Sequence, residues 1–327
     1  MGLGLGFCYD RKEDYLAAGF TPEQVMEFDP EETVAAVADG LASLGHRVER
    51  VGRGVELARR LAAGERFDLV FSIAEGSHGR SREAQVPALC ELFDQPYVFA
   101  DPLTCALTLD KAMAKRIVRD YGLPTPAFAV VAGPADLEEV KLELPLFAKP
   151  LAEGSSKGIT ALSMIRSKPE LEAACLELLA RFGQPVLVES FLPGREVTVG
   201  VVGHGAGARV VGVMEVDITG GDETYAYTAT NKDDWRRRVS YRLIDDELAA
   251  AAAELALAVY AALGCRDGAR VDLRCDGAGR PAFIEANPLP GLDPQRSDLP
   301  FIARFAGHSY GDLLGWIVDS ARQRYGL

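Results

Sequence analysis

The residues with the most to say about chemistry lie late in the chain, in Arg270-Val271-Asp272-Leu273 and, after a turn at Asp276–Gly279, in Phe283-Ile284-Glu285-Ala286-Asn287-Pro288. Residues two apart on a strand face the same way, so Arg270 with Asp272, and Glu285 with Asn287, can converge from neighbouring strands on one point. Two carboxylates and an amide oxygen make a hard oxygen site suited to Mg²⁺, which keeps waters and completes its shell with substrate phosphates. The plainer alternative is a hairpin whose polar residues face solvent.

A second signal is Phe147-Ala148-Lys149-Pro150, followed by Glu153-Gly154-Ser155-Ser156-Lys157-Gly158. A lysine leaving a strand ahead of a Gly/Ser turn can set its ammonium and several backbone N–H groups around phosphates. A surface hairpin closed by a glycine turn is the alternative. No G-x-x-x-x-G-K-[ST] run occurs, which excludes a P-loop. The third signal, Val186 to Val199, holds Glu189 and Glu196 among apolar residues. Glu189 at a strand end can accept from an adenine amino group or ribose hydroxyls while its neighbours sandwich the base. For Glu196 the alternative is an exposed strand charge.

These residues need elements to position them. A chain of 327 residues should divide into two or three compact units. From Leu3 to about Thr125, short apolar strands alternate with amphipathic helices, the pattern of an open, mostly parallel sheet. Asp29-Pro30 supplies an N-cap and an N1 proline to a helix carrying Val34, Val37, Leu41 and Leu44, which Gly45 ends. Strands are expected at 47–51, 69–73 and 97–99, and helices at 83–93 and 109–121. From 126 onward the strand-like stretches 146–150, 159–164, 186–191 and 196–202 surround one helix at 169–182. Then follow a strand at 210–216, a polar stretch at 219–238, an Ala-rich helix at 245–263, strands at 269–275 and 281–286, and a closing helix at 310–324.

Composition narrows the functional classes. A net charge of −13, with acidic residues spread along the chain, argues against a nucleic-acid partner. The longest apolar runs fall short of a membrane span. The start, MGLGLGFCYDRKED, lacks a basic region followed by a long apolar stretch, so no secretory signal is expected and the cytoplasm is the default. The six cysteines form no C-x-x-C pair and have no histidine at metal-ligand spacing, so they read as buried free thiols.

Taken in this order, Lys111, Lys149, the Gly154–Gly158 turn, Glu189, Glu196, Asp272, Glu285, Asn287 and the ending Pro290-Gly291 … Ser297-Asp298-Leu299-Pro300 resemble the D-alanine–D-alanine ligase branch of the ATP-grasp superfamily, over about 67–310. The resemblance implies an α/β (α+β) ATP-grasp fold with three domains. These are an N-terminal open parallel α/β sheet at 1–125, a central subdomain at 126–204 and a C-terminal subdomain with the metal site at 205–327. It implies ATP and Mg²⁺, or Mn²⁺ in its place, as cofactors, with amino acids or small carboxylates as substrates and a homodimer as an allowed assembly. It also implies a place in the peptide-bond formation of cell-wall biogenesis. Lys111 and Lys149, with Glu153, Ser155 and Ser156 of the lid turn, would meet ATP, and Glu189 and Glu196 would meet adenine and ribose. Asp272, Glu285 and Asn287 would hold two metal ions. Lys232, five residues after Tyr227, would reach the transferred phosphoryl group.

The implied chemistry is transfer of the γ-phosphoryl group to a carboxylate, giving an acyl phosphate that an amine attacks. Arg270, with a backbone N–H near Gly291, is the candidate for stabilising the oxyanion, Ser156 and Lys232 are counted with them as catalytic, and Ser297 resembles the contact to the second substrate's carboxylate. The first-substrate half departs from the family. Phe7 to Asp14 replaces the usual glycine pair and Ser-x-Glu element. Arg80 stands where a glutamate is expected, which suits an anionic group, and Thr230 and Asp233 replace a glutamate and a tyrosine in the longer lid. Three readings stand: a D-alanine–D-alanine ligase, an ATP-grasp ligase for another amino acid, peptide or carboxylate, and a non-catalytic nucleotide-binding regulator. An oxidoreductase reading of Gly2, Gly4 and Gly6 is weak because those glycines precede a strand instead of following one.

Overall fold

The computed structural model describes residues 2–218 and 239–327, in three sheets. The first is parallel, with β1 (Gly4–Cys8) between β2 (Arg47–Gly52) and β3 (Leu69–Ser72). Gly4 and Gly6 lie inside β1 and not before it. Helices α1 (Lys12–Ala17), α2 (Glu31–Ser43), α3 (Gly54–Ala62) and α4 (Gln85–Leu92) connect or follow these strands. The cap of α2 is Pro30, one residue later than expected, because Asp29 is drawn into a parallel bridge with Arg11 and its carbonyl accepts from the Lys12 N–H at 2.8 Å. The expected strand at 97–99 is a single bridge between Val70 and Tyr97, and Phe99 turns away with φ 73°.

The helix expected over 109–121 is preceded by one not expected from the sequence, α5 (Pro102–Leu109), and itself runs as α6 (Lys111–Asp120). Asp110 breaks them at extended ψ and caps α6 by accepting from the Met113 N–H at 3.0 Å. That break places Lys111 at the first turn of α6, pointing out of a helix start.

The second sheet is antiparallel in the order β4 (Phe128–Val131), β7 (Val186–Ser190), β5 (Leu146–Pro150), β6 (Met164–Ile165), and it packs on α7 (Lys168–Phe182). The strand expected at 159–164 shrinks to β6, since Ala161–Ser163 forms a 3₁₀ turn. The third sheet runs β10 (Val239–Leu243), β9 (Arg209–Ile218), β8 (Glu196–Gly203), β11 (Asp267–Cys275), β12 (Pro281–Asn287). Strand β8, expected in the central unit, is bonded along its length to β9 and β11, so the division between these sheets falls in 191–195 and not near 204. Helix α8 (Glu247–Ala262) buries Leu255, Ala256, Val259 and Tyr260 against this sheet, together with Val199, Val271 and Phe283.

Two further helices, α9 (Asp298–Phe305), not expected from the sequence, and α10 (Tyr310–Tyr325), join the ends of the molecule. Leu313, Leu314 and Ile317 of α10 share one core with Leu5, Phe7, Val34, Leu41 and Phe71. At about 25 cal/mol per Å² of apolar surface, such continuity fixes the first sheet against the third. All six cysteines are buried and free, as expected. No helix among the described residues is long and apolar enough to cross a membrane.

Candidate active site

The hairpin of β11 and β12 sets Arg270 opposite Asn287 and Asp272 opposite Glu285, the convergence expected from their two-residue spacing. A bulge after Asp272 interrupts the register there. Thr198, on the neighbouring β8, donates to Asp272 Oδ1 at 2.9 Å and orients it. Arg270 pairs closely with Asp298 at the start of α9 and lies 3.4 Å from Asp272 and 3.9 Å from Glu285. Oriented to suit its neighbours, Asn287 turns its amide oxygen to Arg270 Nε and Nη2 at 3.0 and 3.2 Å.

Environment separates the two carboxylates. Burial pushes Asp272 up to about 7, with Arg270 opposing and Glu285 and Asp298 reinforcing the shift. Burial alone would also raise Glu285, but Lys111, Lys149 and Arg270 outweigh it and hold Glu285 at about 2. Among the described residues no group of three or more His, Cys, Asp or Glu side chains gathers as a metal cage. Two facing carboxylates and an amide nevertheless fit a divalent ion of the Mg²⁺ type, which takes its other ligands from water and phosphate.

A layer of lysines faces this hairpin. Lys111 Nζ stands 3.4 Å from Glu285 and donates to the Glu153 carbonyl at 2.5 Å. Lys149, at the end of β5, and Lys115, one turn along α6 from Lys111, each approach Glu189 to 2.9 Å. The two ammonium groups thus face one oxygen of Glu189 each, and Oε2, beside Lys115, makes no hydrogen bond of its own. Lys115 is fully buried and also donates to the Phe283 carbonyl at 3.2 Å. Burial drags it down to about 8, with Glu189 opposing and Lys149 adding to the fall. Glu196 is not a bare exposed charge, since Arg274 donates to it at 2.9 Å.

The Gly/Ser turn has the geometry of a phosphate nest. Ser155 and Ser156 have φ of 52° and 59°, and their amides donate to no other described group. The Glu153 carboxylate accepts from Lys157 at 2.7 Å and Gln184 at 2.6 Å, which braces the turn from below. A contact that sequence reasoning missed braces it from the other side. Glu27 accepts a close bond from the Gly154 N–H and pairs with Arg82 at 2.9 Å, and Arg82 in turn donates to the Ala152 carbonyl at 3.0 Å.

Around the substrate side, Ser297 Oγ accepts from the Asp293 N–H at 3.0 Å. A Cβ on Gly291 would lie 2.7 Å from that same Oγ, so only glycine fits beside Ser297. Arg80 is 76% exposed and pairs with Asp110, the cap of α6, which makes it a neighbour of Lys111 and not a lining group of the carboxylate cluster. Glu83 occupies the inner position instead: burial pushes it up to about 7, against Arg82 and Lys111. The four-residue step from Lys111 to Lys115 was a helical signal available in the sequence. Lys232, with Tyr227, Thr230 and Asp233, lies outside the described residues.

A parallel α/β unit followed by two antiparallel sheets, with paired carboxylates on one and a lysine-ended strand on the other, is an ATP-grasp protein of the ligase type. The whole chain superposes on the VanG D-Ala:D-Ser ligase of Enterococcus faecalis with a TM-score of 0.74, at 23% identity, covering 98% of this chain and 100% of that one. A D-alanine–D-alanine ligase of Bacillus anthracis, solved with ATP, gives 0.74 at 22% identity, covering 100% and 99%. In sequence, the D-alanine–D-alanine ligase of Bordetella pertussis is 41% identical over 268 residues, 81% of each chain. Residues 117–319 match the family described as D-ala D-ala ligase C-terminus. The chain belongs to the D-alanine–D-alanine ligase family.

Proposed function

We propose that the protein is an ATP-dependent carboxylate–amine ligase that activates an amino acid as its acyl phosphate and joins it to the amine of a second, as a D-alanine–D-alanine ligase does. The observation that carries this reading is the placement of Asp272 opposite Glu285, with Lys111 3.4 Å from Glu285. Anions and cations are thus stacked where a triphosphate must lie in line with a carboxylate acceptor. Mg²⁺, or Mn²⁺, held by Asp272, Glu285 and Asn287, would neutralise phosphate charge. Lys111 and Lys149 bind and orient the phosphates, and the Ser155 and Ser156 amides cover them. Arg270 and a backbone N–H beside Gly291 stabilise the oxyanion formed when the amine attacks, and Ser297 holds the second substrate's carboxylate. Two amino acids as partners, a cytoplasmic location with its ATP supply, and a homodimer belong to this reading.

The test is phosphate release from ATP and Mg²⁺ with single D- and L-amino acids and their pairs, with products identified by mass. Release that depends on an amino-acid pair, accompanied by a dipeptide mass, is the expected result. Absence of release with every pair sinks the proposal.

A further inference from the structure

Three carboxylates crowd the guanidinium of Arg270, and they differ in what else they are needed for. Asp298 pairs closely with Nη1, while Asp272 and Glu285 stand 3.4 and 3.9 Å from Nη2. The Asn287 amide oxygen takes Nε at 3.0 Å and Nη2 at 3.2 Å. Asp272, Glu285 and Asn287 are the groups that fit a divalent ion, and their hold on Arg270 weakens when they turn to one. Asp298 has no such second claim. Of the three carboxylates it alone can stay with the arginine while the site is loaded.

Packing fixes Asp298 there. Arg270 on β11 lies opposite Gly200 on β8, and Gly200 lies opposite Gly212 on β9, so the three share one face of the sheet. Helix α9 seats on the two glycines. A Cβ on Gly200 would come 2.9 Å from Leu299 Cδ1, and one on Gly212 would come 3.0 Å from Ile302 Cγ2. Leu299 and Ile302 are fully buried, in the core that joins the first and third sheets. Asp298 is the first residue of α9, and this trough holds it beside the arginine one strand away. Immediately before it stands Ser297, the N-cap residue, whose Oγ accepts from the Asp293 N–H at 3.0 Å. The Asp293 carboxylate in turn accepts from Thr33 at 2.6 Å.

We propose, resting on the ligase reading, that Asp298 is a positioning residue that aims the Arg270 guanidinium at the oxyanion of the amine-transfer step. Asp298 and Ser297 are consecutive at a packed helix start, so the oxyanion donor and the contact to the second substrate's carboxylate are held as one body. Asp298 itself touches no reacting atom. Its loss slows the attack of the amine and leaves ATP binding and the first phosphoryl transfer in place.

The test gives the full chain ATP, Mg²⁺ and the amino-acid pair that yields a dipeptide, D-alanine with itself first. Asp298→Ala should lower kcat about 30-fold, a loss that a misplacement of under an ångström brings. The KM for ATP, and the scrambling of bridge oxygen-18 in labelled ATP that reports the first phosphoryl transfer, should each change less than about threefold. Asp298→Asn, whose amide oxygen still accepts, should recover most of the rate. A double-mutant cycle separates positioning from a structural role: in an Arg270→Gln background Asp298→Ala should cost less than about threefold, because its route to the reaction is gone. Near-normal turnover of Asp298→Ala, equal losses in the two backgrounds, or a KM for ATP that rises with the fall in kcat overturns the inference and leaves the ligase reading intact. A crystal structure of the full chain with Mg²⁺ and a non-hydrolysable ATP analogue reads the contact without turnover, and decides also if Asp298→Ala does not fold. Arg270 Nη1 should remain on Asp298 there, with Asp272 and Glu285 turned to the ion, and an Arg270 released from Asp298 overturns the inference. If no amino-acid pair releases phosphate, the ligase reading fails, and this structure judges the contact alone.

Discussion

The half of the site proposed to hold the nucleotide and the half proposed for the first substrate are built on different principles. In the first, ion pairs hold the charges that matter on regular elements: Lys115 and Lys149 on Glu189, Lys111 against Glu285, Arg270 against Asp298. In the second, Asp10, Asp29 and Glu75 lie on loops and Glu83 in a single 3₁₀ turn, and three of the four are pushed upward. Burial raises Glu75 well above the carboxylate range, with Glu83 and Glu27 adding to it, and Asp29 and Glu83 each reach about 7. Strands fix a constant reaction, whereas loops surrounding a shaped cavity are where selectivity varies at little cost to the scaffold.

The strongest way to break this contrast is to remove a charge that the nucleotide half cannot replace. Glu285→Ala should lower kcat by about 10³-fold or more, since it takes away a proposed metal ligand and the partner of Lys111. The fold should survive, because Glu285 lies in the cleft and not in the apolar core. Thermal melts and steady-state rates check both halves of the statement, and near-normal turnover would show that the hairpin is structural.

Lys149→Ala comes next. The ATP dissociation constant should rise about 30-fold, while that of adenosine changes less than about threefold, because a charge-assisted bond to phosphate is lost and nothing touching the base changes. Lys115 remains to partner Glu189, which limits the structural damage. Equal weakening of both ligands would assign Lys149 to the fold.

A smaller effect tests the bridge between the halves. Glu27→Gln keeps an acceptor for the Gly154 N–H but removes the charge that faces Arg82. The KM for ATP should rise about three- to tenfold, as expected for weakening one buried, hydrogen-bonded ion pair at a lid. Amide exchange over residues 152–158 should quicken in parallel. Unchanged exchange would mean that the turn closes without the N-terminal loop.

Legibility in the sequence followed the same division. Period-two spacing was enough to bring Asp272 and Glu285 together, because a hairpin makes partners of near neighbours in sequence. Helical capping located α7 and α8 within a residue or two. The bond from Gly154 to Glu27 joins residues 127 apart, and Thr33 meets Asp293 across 260, so no local pattern announces either. Strand β8 was assigned to the wrong sheet for a related reason: its alternation shows that it is a strand but not which neighbour it pairs with. A cavity of about 370 Å³ beside Asp10 was beyond reach because its walls come from four separate segments.

The mildest test concerns stability and asks whether the first-substrate half is held under electrostatic tension. Burial, then the nearby Asp293, raises Asp29 from 3.8 to about 7, with Asp10 adding to the rise and Arg296 opposing it. Between those values the folded chain keeps a proton that the unfolded chain has lost, so folding weakens as pH rises and levels off above 7. Replacing Asp29 with asparagine removes the titration while leaving the backbone carbonyl that accepts from Lys12. Asp29→Asn should therefore match the parent near pH 4 and exceed it by on the order of 4 kcal/mol at pH 8, read from urea midpoints at constant m-value. Parallel pH curves for the two proteins would mean that Asp29 ionises normally in the fold, and that the loop bears its acidic residues without strain.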